Sequence, residues 1–396
     1  MIQPLHGSAQ HYPWGTEDAI PELLEVRADG RPWAEYWLGA HPSAPGTLGG
    51  GDRLDHILHA QPELLGAASR EAFGKQLPFL VKVLSARHAL SLQAHPSRAQ
   101  AEEGFERENA AGVPLDAPQR VYRDAWPKPE MMIALDEFHT LCGFRDPAAT
   151  VSLFDGLGVA GDLRQVLGPL SSRNDTAALT DTFLNALDVS EAQTGLVGLV
   201  TAAARKHADS PGELGEFART AVELSAIFPA DPGILAALLL NRVAVAPGEA
   251  VFVPSGCLHA HLRGTGIEVM ANSDNVIRGG LTTKHIDKAE LLNVVDFSVR
   301  APVITQPIPL APGVMHYVAG CPEFDVWRLD TTTASCLVPG NGSARVVLVS
   351  SGEIELTGEE STLPLRKGES AFIGASEVGV RAAGDGIAFV TASGLR

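Results

Sequence analysis

The stretch Val245-Ala246-Pro247-Gly248-Glu249-Ala250-Val251-Phe252-Val253-Pro254-Ser255-Gly256 returns near the C-terminus as Leu365-Arg366-Lys367-Gly368-Glu369-Ser370-Ala371-Phe372-Ile373-Gly374-Ala375-Ser376. Each copy sets a Gly-Glu turn ahead of a short apolar run with phenylalanine at the same place. Both read as a turn through Gly-Glu followed by a strand. The copies then diverge. Cys257-Leu258-His259-Ala260-His261 follows the first, whereas Glu377-Val378-Gly379-Val380, with no histidine, follows the second.

A turn of this kind ahead of a ligand-bearing strand recurs in double-stranded β-helix proteins of the cupin type. The expected fold is therefore mainly β with a helical insert: two cupin-like jelly-roll units plus an all-α domain, with only the first β unit able to hold a metal. Texture along the chain sets the boundaries. Up to about Arg145, short apolar runs such as Leu77 to Leu84 and Met131 to Leu135 are broken by Gly and Pro, which predicts strands and loops. Between Pro147 and Leu240, Ala/Leu-rich stretches at helical spacing predict helices over Asp175 to Leu187, Ser190 to His207 and Glu213 to Ile227. Asn174-Asp175 and Ser190 are expected as caps, and Ser210-Pro211-Gly212 and Pro229 to Gly233 as breaks. Residues 1–145 with 241–300 are assigned to a catalytic unit, 146–240 to the helical insert, and 301–396 to a C-terminal unit without metal ligands.

The 396 residues suffice for two or three domains, each with its own core. A formal net charge of −17 argues against nonspecific nucleic-acid binding and against docking on an anionic membrane. The longest apolar run, Ile234 to Leu240, is too short to span a bilayer. Met1-Ile2-Gln3-Pro4-Leu5-His6 has neither a basic start nor an apolar signal core, so a cytoplasmic location is the default expectation. Cys142, Cys257, Cys321 and Cys336 lack metal-finger spacing and are too sparse for a disulfide framework, so they are expected as small buried hydrophobes.

The chemistry gathers around Ser91-Leu92-Gln93-Ala94-His95-Pro96. In a strand, Ser91, Gln93 and His95 share one face while Leu92 and Ala94 take the other. A Gln-x-His pair on one face can grip a metal ion. With Glu130 and either His259 or His261, the donor set becomes two imidazoles, one carboxylate and one amide oxygen, which suits zinc or a similar divalent ion. Any one of these histidines alone is explained as well by a structural role; the combination carries the argument. Arg278 offers a planar fork of donors to a phosphate, Lys284 adds a point charge, and Ser91 can donate to the same anion. Glu268 is the carboxylate most easily imagined as a general base, provided its surroundings raise its affinity for protons.

Several long, ordered motifs resemble the type I mannose-6-phosphate (phosphomannose) isomerases. They are Gln10-His11-Tyr12-Pro13-Trp14-Gly15, Ala34 to Pro42, Leu77 to Ser97, Lys128-Pro129-Glu130-Met131, Leu141 to Arg145, and Pro247 to Asp287. The resemblance implies a zinc site of Gln93, His95, Glu130 and His259. It also implies that Ser91, Arg278 and Lys284 handle substrate and phosphate, with Lys82, Lys128 and Glu268 lining the cavity. The implied reaction interconverts mannose 6-phosphate and fructose 6-phosphate through an enediol-like intermediate. Lys128 or Arg278 would assist charge stabilisation, and Glu268 would move the proton, with a metal-activated water or a nearby histidine as the alternative. The chain departs from the family at His261, where tyrosine is usual, at Ser97-Arg98 in place of Asp-Lys, and at His88 in place of a frequent lysine.

Two other functions compete. An iron-dependent cupin oxygenase would use two histidines and one carboxylate, but the fourth ligand Gln93 and the basic pair Arg278 and Lys284 favour a phosphosugar. A noncatalytic sugar-phosphate binder would keep the same residues without turnover. No nucleic-acid or membrane partner is expected, and the sequence leaves the oligomeric state open, a monomer being plausible.

Overall fold

The computed structural model describes residues 1–173, 175–188, 190–340 and 342–395. Among them are 11 α-helices and two large antiparallel sheets, of 11 and 10 strands. The two Gly-Glu turns quoted above are the same structure. Gly248 and Gly368 have φ of 86° and 81°. In each turn the glycine N–H donates to a strand carbonyl, Ala134 or Val349, and that residue's N–H donates back to the Glu carbonyl. The Glu side chains close the turns, accepting from the N–H of Ala246 and of Arg366. Local chemistry therefore sets both turns, and the strands Ala250–Val253 and Ser370–Ile373 leave them in matching registers against Glu130–Ala134 and Arg345–Thr357.

The long strand His259–Ala271 organises the 11-stranded sheet. Its second half pairs with Phe79–Ala86 and Glu130–Ala134, its first half with Phe138–Phe144 and Gln93. It bends between the two at a bulge around His261 and Arg263, followed by Gly264 at φ 115°. A Cβ at Gly264 would lie 2.8 Å from the Glu137 carbonyl and from Phe138 Cα, so only glycine lets the neighbouring strand approach. The 10-stranded sheet carries the C-terminal strands together with Ile2–His6, which pairs with Ser370–Ile373.

Alternation decides what each face meets. Phe79, Val81, Val83, Met131, Ile133, Ile267 and Val269 face a core shared with Leu5, Val346, Leu348 and Phe372 of the other sheet. Each such buried side chain contributes roughly 1.5–3 kcal/mol of hydrophobic stabilisation. The intervening Lys82, Glu130 and Glu268 are turned to the opposite face and stay buried.

The helices predicted between Pro147 and Leu240 are present as Thr176–Ala186, Glu191–His207 and Gly212–Ile227, with Pro147–Gly156, Arg164–Ser172 and Gly233–Ala237 added. Asp175 caps as expected, its carboxylate accepting from the Ala178 N–H; Asn174 lies outside the described residues. These helices join Phe138–Phe144 to Leu240–Val245, which pair as a hairpin. At the matching place in the C-terminal sheet, a tight turn through Gly358 and Ser361 suffices. Phe183, Leu179 and Phe217 pack with Leu92, Ala94, Leu258 and Ala260, so the helices cover the apolar side of the strands that carry Gln93 and His259.

Two expectations need correction. The strand expected over Ser91 to Pro96 is only Leu92–Ala94, because Ser97 begins the 13-residue helix Arg98–Ala110. That helix, together with Leu54–Ala60 and Ala67–Phe73, lies in a region predicted as strands and loops. The missed signal is Ser97-x-x-Gln100, a capping box in which Gln100 N–H donates to Ser97 Oγ and Ser97 N–H to Gln100 Oε1. Ser97→Ala is expected to cost about 1 kcal/mol in urea unfolding, with the site's metal content unchanged.

All four cysteines are free, and Cys142, Cys257 and Cys336 are buried. Among the described residues, no helix is long and apolar enough to cross a membrane.

Candidate metal and sugar-phosphate site

Cross-strand partners in a sheet project to the same side. Arg278 pairs with Gln93, and Gln93 with His259, so these three side chains form a row across three strands. His95 follows the strand Leu92–Ala94, and Glu130 opens the strand Glu130–Ala134, which pairs with the second half of His259–Ala271. His95 Nε2 lies 3.3 Å from Glu130 Oε1, and His259 Nε2 lies 3.2 Å from Glu130 Oε2. Two donors about 2.0–2.1 Å from a tetrahedral zinc ion stand about 3.3–3.4 Å apart. The three groups are thus spaced as ligands of one ion.

Hydrogen bonding fixes the rings in the matching tautomer. His95 Nδ1 donates to the Asn275 carbonyl at 2.7 Å and His259 Nδ1 to the Cys257 carbonyl at 3.1 Å. Each Nε2 is left as a lone pair aimed at the carboxylate, the arrangement that outer-sphere carbonyls impose on metal-binding histidines. Both Nε2 atoms are buried without a hydrogen-bond partner, and so is that of His261. Lone pairs facing a carboxylate repel it, so the donors fit a cation in their midst. Burial, with the Lys128 ammonium, pushes His95 down to about 4. Burial also opposes charge on His259, but Glu130 outweighs it and raises that ring. Glu130 itself would be raised by burial; Lys128, 2.9 Å from Oε1, and His95 hold it well below its ordinary value.

Beside this group lies a second one. Lys82 and Glu268 are direct strand partners, with Nζ 2.9 Å from Oε2. Lys82 also reaches Glu35 at 3.4 Å and lies over the Trp37 ring at 5.1 Å. Burial disfavours the Lys82 charge, yet Glu268, Glu35 and Glu130 raise it above its ordinary value. The condition placed on Glu268 as a base is not met: burial pushes its carboxyl up, but Lys82 more than reverses this, to about 2. A carboxyl depressed from 4.5 to about 2 contributes stability that is complete above 4.5 and lost as pH falls toward 2. Acid titration of the metal-free protein's urea midpoint should therefore show a drop in that window, shallower in Glu268→Gln.

A cleft of about 410 Å³, lined among others by Arg120, Arg123, Asp274, Arg278, Lys284 and His285, meets this region through Arg278, the strand partner of Gln93. Burial and neighbouring Arg123 lower the pKa of Arg278; burial, Arg278 and Arg123 lower that of Lys284. Crowded cations at a cleft mouth favour an anion, which relieves their repulsion. Ser91 sits half-buried just ahead of the Leu92–Ala94 strand. The structure thus brings Gln93, His95, Glu130, His259, Lys82, Lys128 and Glu268 into one region, with Arg278 and Lys284 on the cleft beside it. Glu35, Trp37 and Arg123 were not identified as site residues from the sequence. The Glu-x-Trp alternation opposite Lys82 was a usable signal for the first two; nothing local marks Arg123.

A model of the phosphomannose isomerase type I catalytic domain matches residues 2–147. Mannose-6-phosphate isomerase of Salmonella typhimurium is 36% identical over 393 residues, covering 97% of this chain and 98% of that protein. The chain belongs to the type I phosphomannose isomerase family. The relationship extends to animals: the Bos taurus mannose-6-phosphate isomerase is 32% identical, over 95% of this chain and 94% of its own. Among solved structures, a mannose 6-phosphate isomerase bound with zinc and yttrium superposes with a TM-score of 0.88 at 34% identity, covering 100% of both chains. A mutant of the Salmonella typhimurium enzyme gives 0.89 at 32%, again over 100% of both.

Within the family chain, the C-terminal sheet lacks this chemistry for a visible reason. Arg345 takes the register position that Glu130 holds in the other sheet, opposite Ile373 as Glu130 is opposite Val253. Its guanidinium donates to the Glu377 carbonyl. A cation stands where the first sheet offers a carboxylate.

Proposed function

We propose that this chain interconverts mannose 6-phosphate and fructose 6-phosphate, holding one divalent ion, zinc, with Gln93, His95, Glu130 and His259. The observation that carries the reading is the buried donor group His95–Glu130–His259, with unpartnered Nε2 atoms, beside a cationic cleft. When bound, the ion supplies Lewis acidity that polarises the sugar oxygens. Arg278 and Lys284, with Ser91, hold the phosphate, and Lys128 steadies negative charge on the open-chain sugar. Glu268 is ionised at neutral pH and so is in the state required of a base. Its proton affinity is low while Lys82 is bonded to it, and Lys82 has Glu35 as a second partner to turn to as the proton moves between C2 and C1.

We infer the domain division as residues 1–145 with 241–300 for a catalytic cupin-like jelly roll, 146–240 for the helical insert and 301–396 for a second cupin-like unit, corrected in that Ile2–His6 and Thr47–Leu48 join the C-terminal sheet. The repeated Gly-Glu turns are the basis for two such units. A cytoplasmic location is the setting we infer.

A coupled assay for fructose 6-phosphate formation, with chelator and with zinc restored, tests the function. Activity lost to chelator and recovered with zinc is expected; its absence at every metal loading would leave a sugar-phosphate binder. Iron in protein isolated without added metal, with oxygen uptake, would favour the oxygenase. Arg278→Gln should raise KM for mannose 6-phosphate about tenfold to a hundredfold, the worth of a charged hydrogen bond, with zinc content unchanged.

A further inference from the structure

His261 is 2% exposed and lies two residues after His259 on the same strand. Its tautomer follows from its neighbours. Thr140 Oγ1 lies 3.1 Å from the Ala260 carbonyl and 3.1 Å from His261 Nδ1. The hydroxyl has two carbonyls to receive its proton, Ala260 and Leu141 at 3.2 Å, and with the proton on either one His261 Nδ1–H donates to the hydroxyl oxygen. Nε2 is then a lone pair, buried and without a hydrogen-bond partner, 3.4 Å from Glu268 Oε1. Phe138, edge-on at 5.2 Å, holds the ring in that direction. Two acceptors at that separation are placed as adjacent ligands of a tetrahedral ion, whose donors stand about 3.3–3.4 Å apart. Glu268 keeps its other oxygen on Lys82, so Oε1 can serve a cation without breaking that ion pair. Glu130 completes the set: one donor atom each from Glu130, His261 and Glu268 lies within 4.8 Å of the others.

We propose that Glu130, His261 and Glu268 form a second position for the divalent ion, adjoining the one bounded by His95, Glu130 and His259. This rests on the metal-dependent reading above. The two positions share one ion. Glu35, Glu130 and Glu268 set against Lys82 and Lys128 leave a single negative charge in the cavity, which offsets half the charge of one divalent ion and only a quarter of that of two. Glu130 belongs to both donor sets, so the ion passes from one to the other without leaving its carboxylate.

The test uses the full chain loaded with zinc for anomalous diffraction and with cobalt(II) for visible spectra. In the natural protein, two anomalous maxima with occupancies summing to one ion are expected, and a cobalt spectrum that is the sum of two species. In His261→Tyr and His261→Gln, one ion per chain should remain, at the His95–Glu130–His259 maximum alone, and the second spectral species should vanish. A single maximum at that place in the natural protein, with spectra unchanged in both variants, would overturn the second position while leaving the metal-dependent function standing. Two ions per chain would overturn sharing, and no ion on any of these donors would overturn both the inference and the function it rests on.

Discussion

Glu130→Gln is expected to lower kcat/KM by at least about a thousandfold, because metal-borne charge stabilisation is worth several kcal/mol and the variant loses the carboxylate that both histidines face. Glu130 lies 3.3 Å from His95 Nε2 and 3.2 Å from His259 Nε2, so no other side chain can replace it between them. Glutamine keeps the volume and one oxygen but not the charge. Lys128, 2.9 Å away and buried, then lacks its counterion. Metal analysis after dialysis against a weak chelator, run beside the coupled assay, checks the cause. Activity lost with zinc retained at the natural level would mean that Glu130 acts in some way other than holding the ion.

Lys82→Met is expected to destabilise the metal-free protein by about 3–5 kcal/mol, the usual result of leaving buried charges uncompensated. Methionine fills a similar volume and still packs on Trp37, so lost packing contributes little. What remains is Glu268 and Glu35 on one buried face, 2.9 and 3.4 Å from where the ammonium had been. The deficit should shrink in acid. In the variant, Glu268 loses the partner that depresses it, so burial raises its carboxyl, and protonation removes the cost as pH falls through that higher value. Urea unfolding of variant and natural protein at pH 7 and at pH 4.5 measures both. A deficit equal at the two pH values would mean that the loss comes from packing.

The residues themselves explain what could be read without coordinates. The Gly-Glu turns were legible because a positive-φ glycine and a self-closing glutamate are local devices, complete within a few residues. The helices from Pro147 to Leu240 were legible because an apolar stripe at helical spacing persists over many turns. The face of Gln93 was legible because alternation within Leu92–Ala94 sets it, whereas His95 lies just past that strand and is held by the Asn275 carbonyl. By contrast, the helix Arg98–Ala110 escaped: its surface is largely polar, and only the Ser97–Gln100 capping box announces it. The condition on Glu268 failed for a different reason. Its proton affinity depends on Lys82, which is far away in sequence and becomes a direct partner only through strand register.

That contrast separates what each level determines. The sequence alone determined the places of the Gly-Glu turns, the strand face of Gln93, the helix spans between Pro147 and Leu240 and the chemical identity of the donors, since these follow from backbone sterics and from periodicity over short distances. Only the tertiary structure decided which donors meet: that Glu130 stands between His95 and His259, that Lys82 holds Glu268 ionised, and that His261 turns a bare Nε2 into the same cavity. Register between distant strands sets those separations. Burial then makes the electrostatics decisive, because a charge removed from water must find its partner within a few ångströms.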